Sequence, residues 1–190
     1  MAQMIVKPDA DGLMKAVAKQ KGPPPVHLWN PPFCGPIDMR IARDGTWFYL
    51  GTPIGRERMV KLFSSILKRE GEDYFLVTPA EKVQIVVDDA PLLVVDVTAT
   101  GEGRDQVLSF VTKTEDEVVA GPGHAIEMRD RGFEATPYIH VRAGLWALID
   151  RKTFYRLVEL GCHEEKDGDS WFGLWSQGAF FPVTRSQDLT

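Results

Sequence analysis

Apolar and polar positions alternate with two periods along this chain, and the period switches mark its elements. Over Ile54–Gly71, Met59, Leu62, Phe63, Ile66 and Leu67 recur at i, i+3, i+4, i+7 and i+8. That spacing predicts one amphipathic helix. Gly71 follows the last periodic residue, where a left-handed backbone ends many helices. A shorter stripe, Phe154, Leu157 and Val158, predicts a second helix over Ile149–Gly161, with Asp150 as its N-cap and Ile149 set to pack on Phe154. Strands are expected on both sides of each helix: Thr46–Leu50 and Tyr74–Thr78 around the first, Tyr138–Val141 and Trp171–Trp175 around the second. Strand–helix–strand thus occurs twice at a spacing of about 95 residues, which suits a duplicated domain rather than a solenoid.

Period-two alternation fills most of the remainder. Ile37, Met39 and Ile41 alternate with Asp38, Arg40 and Ala42, the pattern of a half-buried strand. Asp44-Gly45 predicts a tight hairpin to Trp47–Leu50. Further strands are expected at Lys82–Val87, Leu92–Thr98, Gln106–Thr112, Val118-Val119, Ala125–Met128 and Ala179–Val183. Short turns between neighbours predict antiparallel pairing. The fold class expected is therefore α+β, mostly antiparallel, with a duplicated strand–helix–strand core. Residues 1–22 read as a helix or arm on the partial stripe Leu13, Met14 and Val17. Residues 23–87 read as the first α+β repeat, and 88–190 as a second repeat with a strand-rich C-terminal half.

Composition narrows the setting. Apolar residues make 44% and charged residues 26% of the 190, ordinary for a globular protein. No apolar run reaches the ~20 residues of a membrane span, and the N-terminus lacks the apolar region of a signal peptide. Cys34 and Cys162 form no disulfide framework, so a reducing cytoplasm is the expected location. The net charge of −5 argues against general nucleic-acid binding. It is unevenly spread. From Arg40 to Glu70, seven bases face three acids (+4); from Gly101 to Thr136, eight acids face four bases (−4). A small anion is better received by the first stretch, or that stretch is simply a solvated helix surface.

The run PPPVHLWNPPFCGPIDMRIARDGTWFYLGTPIGRERMVKLFSSIL, with YFLVTPAEKVQI and the closing WFGLWSQGAFFPV, resembles the uncharacterised bacterial domain-of-unknown-function family 1285 over about residues 23–183. The resemblance implies a duplicated core and a C-terminal half with a superficial pleckstrin-homology look. It also implies a ligand site between the halves suited to a nucleotide-like molecule, and a role in signal transduction. It supplies no catalytic residue.

The candidate ligand-binding residues are Trp29, Asn30, Asp38, Arg40, Arg142, Trp171 and Trp175. Trp29 beside Asn30-Pro31-Pro32 suits a stacking platform with an amide for a base edge; equally, it plugs a core and Asn30 builds the turn. Asp38 and Arg40 share one strand face. Arg40 and Arg142, joined by Arg56 or Arg151, would form a phosphate clamp; as solvated arginines they contribute little. Trp171 and Trp175 share strand parity, so one face can present both rings.

Other chemistry is poorly supported. His27, His124, His140 and His163 lack metal spacing, and Cys162-His163-Glu164-Glu165 reads as a loop. No cofactor and no metal site is expected. No Gly-x-Ser-x-Gly elbow is present, and Gly101–Arg104 reads as a hairpin rather than a phosphate loop. The leading expectation is a ligand-binding or sensing protein for a small anionic, nucleotide-like molecule. The rivals are a hydrolase of a phosphorylated compound, with Asp38 or His140 as base, and a protein-interaction module using the aromatic C-terminal strands.

Overall fold

A computed structural model describes residues 8–19, 21–132 and 134–189. The part of the expected N-terminal arm at residues 1–7 lies outside the described residues. The chain divides into two compact units, Met1–Asp89 and Ala90–Thr190.

Unit 1 opens with α1 (Ala10–Ala18). Asp9 caps it by accepting the Gly12 amide at 2.6 Å, and Leu13 and Val17 form its buried stripe. Then follow β1 (Phe33–Ile41), β2 (Trp47–Tyr49), β3 (Thr52–Pro53), α2 (Glu57–Ser65), β4 (Leu67–Glu70), β5 (Asp73–Val77) and β6 (Lys82–Val87). The six strands form one sheet in the order β3-β2-β1-β6-β5-β4. It consists of two antiparallel meanders joined through the parallel pair β1–β6. Alternation along β1 buries Ile37, Met39 and Ile41 on one face, as the sequence predicts. Trp47 lies on that face opposite Ile41, and α2 lays Phe63 against it with ring centres 6.2 Å apart. α1 packs against α2.

The first helix is shorter than its apolar stripe predicts. It ends at Ser65, and Leu67–Glu70, expected to be its last turn, is strand β4. Serine explains the break: Ser65 Oγ donates to the Leu62 carbonyl at 2.6 Å, a local bond that competes with helix continuation. Ile66 then leaves helical geometry at φ −109°. Gly71, at φ +61°, turns the β4–β5 hairpin instead of ending a helix.

Unit 2 contains β7 (Leu92–Thr100), β8 (Val107–Thr112), β9 (Glu117–Val119), β10 (Ile126–Asp130), β11 (Ala135–Arg142), β12 (Leu145–Ile149), α3 (Arg151–Val158), β13 (Cys162–Lys166), β14 (Asp169–Ser176) and β15 (Ala179–Arg185). Asp150 caps α3 by accepting the Thr153 amide at 2.8 Å, as expected. Ile149, the residue before the cap, closes β12. Cys162–Glu165 is not a loop but most of β13, paired along its length with β14.

Six strands of unit 2 form a sheet ordered β10-β11-β12-β7-β8-β9. Here too, two antiparallel meanders meet through one parallel pair, β12–β7. In both sheets the first strand of the earlier meander lies beside the last strand of the later one. This repeat is independent of the helices. A second repeat is the one the helical stripes announce: α2 leads into the meander β4–β5–β6, and α3 leads into β13–β14–β15. The latter three strands form a sheet of their own. Its attachment within unit 2 is polar and buried. Ser176 Oγ accepts the Leu108 amide at 2.9 Å and donates to the Ala120 carbonyl at 2.7 Å. At Gly173 a Cβ would stand 2.4 Å from the Phe181 carbonyl and 2.6 Å from the Phe180 ring, so only glycine fits there.

Candidate functional site

The face of the unit 1 sheet opposite Ile37 and Met39 carries Asp38 and Arg40. Strand parity puts them there. Register adds Phe48 from β2 on one side of Arg40 and Val86 from β6 on the other. These residues, with Gly51 and the backbone around Ile37 and Met39, line a hollow of about 250 Å³. The Arg40 guanidinium lies 4.5 Å from the centre of the Phe48 ring, a cation–π contact, and its Nη1 donates to Asp88. Its side chain keeps 43% of its surface exposed. Arg40 is thus held on two sides without being covered. The Asp38 carboxylate is exposed and makes no hydrogen bond or ion pair among the described residues.

Trp29 and Asn30 lie between a turn of 3-10 helix, Val26–Leu28, and β1. The Trp29 amide donates to the Val26 carbonyl at 3.1 Å, so this residue closes the turn; it is half-buried and Asn30 is exposed. Neither lines the hollow.

Arg142, Trp171 and Trp175 belong to unit 2. Arg142 ends β11 and donates to Asp116. That carboxylate also accepts from Thr114 Oγ1 at 2.8 Å and Thr112 Oγ1 at 3.1 Å, so it is tied to its own turn. Trp171 and Trp175 lie on one face of the three-stranded sheet, each with a guanidinium beside it: Arg185 at 5.6 Å from Trp171 and Arg104 at 5.0 Å from Trp175. Glu164 joins that layer, accepting from Trp175 Nε1 at 3.1 Å and pairing with Arg104 at 3.3 Å. Burial, and then Glu164, push the neighbouring Cys162 thiol above its usual pKa. That makes it a poor nucleophile.

A third cluster was not anticipated. Arg129 lies 4.7 Å from the Tyr138 ring and 4.2 Å from the Trp146 ring, and His140 meets Trp146 edge-on at 5.3 Å. Both nitrogens of His140 are engaged, Nδ1 with the Gly123 carbonyl and Nε2 with the Gly144 amide, each at 3.2 Å. As a general base His140 would have to give up the Gly144 bond. Among the described residues, no three His, Cys, Asp or Glu side chains gather as a metal site requires.

Phe48, Val86 and Asp88 were missed from sequence as site residues. The Asp44-Gly45 turn does determine that Phe48 falls opposite Arg40. Val86 and Asp88 arrive through the parallel β1–β6 pair, which joins residues more than forty positions apart and leaves no local signal.

Fold and site together define a two-unit α+β protein of mostly antiparallel strands, each unit built on a six-stranded sheet of joined meanders. The chain belongs to the DUF1285 family. Residues 24–90 match its N-terminal domain, described as a domain of unknown function, and residues 91–183 match its C-terminal domain, described as a protein of unknown function. The two matches, one per unit, accord with duplication. A crystal structure of a DUF1285 family protein from Silicibacter pomeroyi DSS-3 is similar with a TM-score of 0.84 and 61% identity, over 95% of this chain and 99% of that one. Another, from Shewanella baltica OS155, is similar with a TM-score of 0.51 and 31% identity, over 64% of this chain and 90% of that one. No curated protein matches the chain. No helix among the described residues is long and apolar enough to cross a membrane.

Proposed function

We propose that this is a ligand-binding, sensing protein whose unit 1 hollow receives a small molecule bearing an oxyanion. The observation that carries this is Arg40, oriented on Phe48 and Asp88 yet still exposed into the hollow. A guanidinium presents planar paired donors that match carboxylate and phosphate oxygens. Orientation before binding lowers the entropy lost when the ligand arrives. The volume, about 250 Å³, falls below the ~300–1,000 Å³ of pockets that enclose drug-sized ligands. A nucleotide would therefore place only one part of itself inside.

The test is calorimetric titration with inorganic phosphate, small carboxylates and nucleoside monophosphates. At least one is expected to bind, with affinity falling about tenfold or more in Arg40→Ala, the loss of one charge-assisted bond. Silence across the panel, or equal affinity in Arg40→Ala, sinks the reading.

A further inference from the structure

We infer that the ligand of the unit 1 hollow is a zwitterion, a free α-amino acid with an apolar side chain, rather than a simple anion. This rests on the oxyanion reading and narrows it. The argument starts from the charges that line the hollow. Arg40 already has a carboxylate, Asp88, on one edge. Asp38, two residues earlier on the same face, has no partner among the described residues. An exposed Asp beside an exposed Arg on one strand face would ordinarily form the short-range pair. Here Arg40 bonds Asp88 and stacks on Phe48 instead.

The consequence is a hollow with a cation and an anion held apart. A ligand carrying only negative charge meets the Asp38 carboxylate as well as Arg40, and like charges at short range oppose it. A ligand carrying only positive charge supplies no acceptor for the Arg40 donors that Asp88 does not take. A molecule with carboxylate and ammonium a few bonds apart satisfies both. Two residues along a strand separate by about 6.5–7 Å. The two side chains leave the strand on the same face from these positions, so each can meet one charged group of a single small molecule.

The remaining lining is apolar. Phe48 contributes its ring, and Val86, at 58% exposed, is an aliphatic side chain left open to water. The Leu50-Gly51 turn borders the same site. Leu50 is exposed and adopts φ +51°, a left-handed backbone that β-strand residues avoid, and its amide donates to the Asp38 carbonyl at 3.0 Å. An apolar amino-acid side chain has surface here to cover, and the small volume suits one residue.

The experiment uses three probes of matched carbon skeleton on the full chain: leucine, 4-methylpentanoate without the amine, and 3-methylbutylamine without the carboxylate. Titration calorimetry is run on the wild type, Asp38→Asn and Arg40→Gln. Both positions are exposed strand sites, and circular dichroism confirms folding before titration. Leucine is expected to bind about tenfold more tightly than either analogue, the margin one charge-assisted bond supplies. Asp38→Asn should erase that margin, weakening leucine and tightening 4-methylpentanoate by removing the like charge, whereas Arg40→Gln should weaken both. If 4-methylpentanoate binds the wild type as well as leucine does, or if Asp38→Asn keeps the margin, the zwitterion assignment is overturned while the oxyanion reading stands. If neither these acids nor phosphate binds, both fall.

Discussion

Two helix-and-meander segments, α2–β4–β5–β6 in unit 1 and α3–β13–β14–β15 in unit 2, have the same order of elements and opposite outcomes. In unit 1 the last strand continues the sheet by pairing with β1; in unit 2 the last strand is an edge. The residues of the two last strands differ as well. All of Lys82–Val87 carry a backbone N–H, so β6 can donate on both sides, and it pairs with β5 and β1. β15 carries Pro182 in its interior and so has one donor fewer, although Pro36 in β1 and Pro137 in β11 sit in strands that pair on both sides. The opposite edge, β13, is Cys-His-Glu-Glu-Lys, a charged strand of the kind that resists further pairing. Helix stripe and strand count announce a module, but they do not say which sheet the module enters.

The largest test of this parallel removes matching core anchors. Leu76 in β5 and Leu174 in β14 are central-strand residues, 0% and 1% exposed. If both meanders are structural core, Leu76→Ala and Leu174→Ala should each cost about 2–5 kcal/mol in urea unfolding. A loss under about 1 kcal/mol for Leu174→Ala alone would make the three-stranded sheet an appendage and break the comparison.

The two helix starts differ by less. Asp150 accepts an amide at the start of α3, whereas Arg56 at the start of α2 makes no capping bond. Asp150→Ala should cost about 1 kcal/mol and Arg56→Ala almost nothing. Arg56→Asp, by supplying the missing acceptor and the favoured charge at a helix start, should stabilise by up to about 1 kcal/mol. Equal losses from the two alanine variants would mean that the caps do not distinguish the modules.

What the sequence made legible was local. Ile37/Met39/Ile41 determined the faces of β1, and with them the shared face of Asp38 and Arg40. Asp150 marked the start of α3. The helical period over-ran α2 because Ile66 and Leu67 keep the spacing even after Ser65 has turned the backbone away. Strand β12, Leu145–Ile149, went unread because an unbroken apolar run has no period. β13 was invisible because an edge strand of charged residues has no buried face to alternate. The sheet-level repeat and the partners of Arg40 depend on the parallel β1–β6 and β12–β7 pairs, and long-range parallel pairing leaves no short-range pattern.

The smallest test concerns how each module fastens its first strand. In unit 2 the fastening is the Trp175 indole donating to Glu164. In unit 1 it is ionic: Glu70 in β4 meets Lys82 of β6 at 2.9 Å, reaching past β5, and Lys68 at 3.1 Å. The bond from Lys82, then that from Lys68, holds the Glu70 carboxyl below the usual carboxylate range. A depressed folded-state pKa means that the unfolded chain takes up the proton first as pH falls. The stabilisation is therefore present above the ordinary glutamate pKa and is lost as pH drops through the folded value. Because the Glu70 side chain is 38% exposed, solvent screening limits the effect to under about 1 kcal/mol. Glu70→Gln should be less stable than the wild type at neutral pH and should converge with it as pH falls below the lowered folded-state pKa of Glu70. High salt should shrink the gap, because exposed pairs are screened. A gap independent of both pH and salt would show that packing, rather than charge, fastens β4 to its sheet.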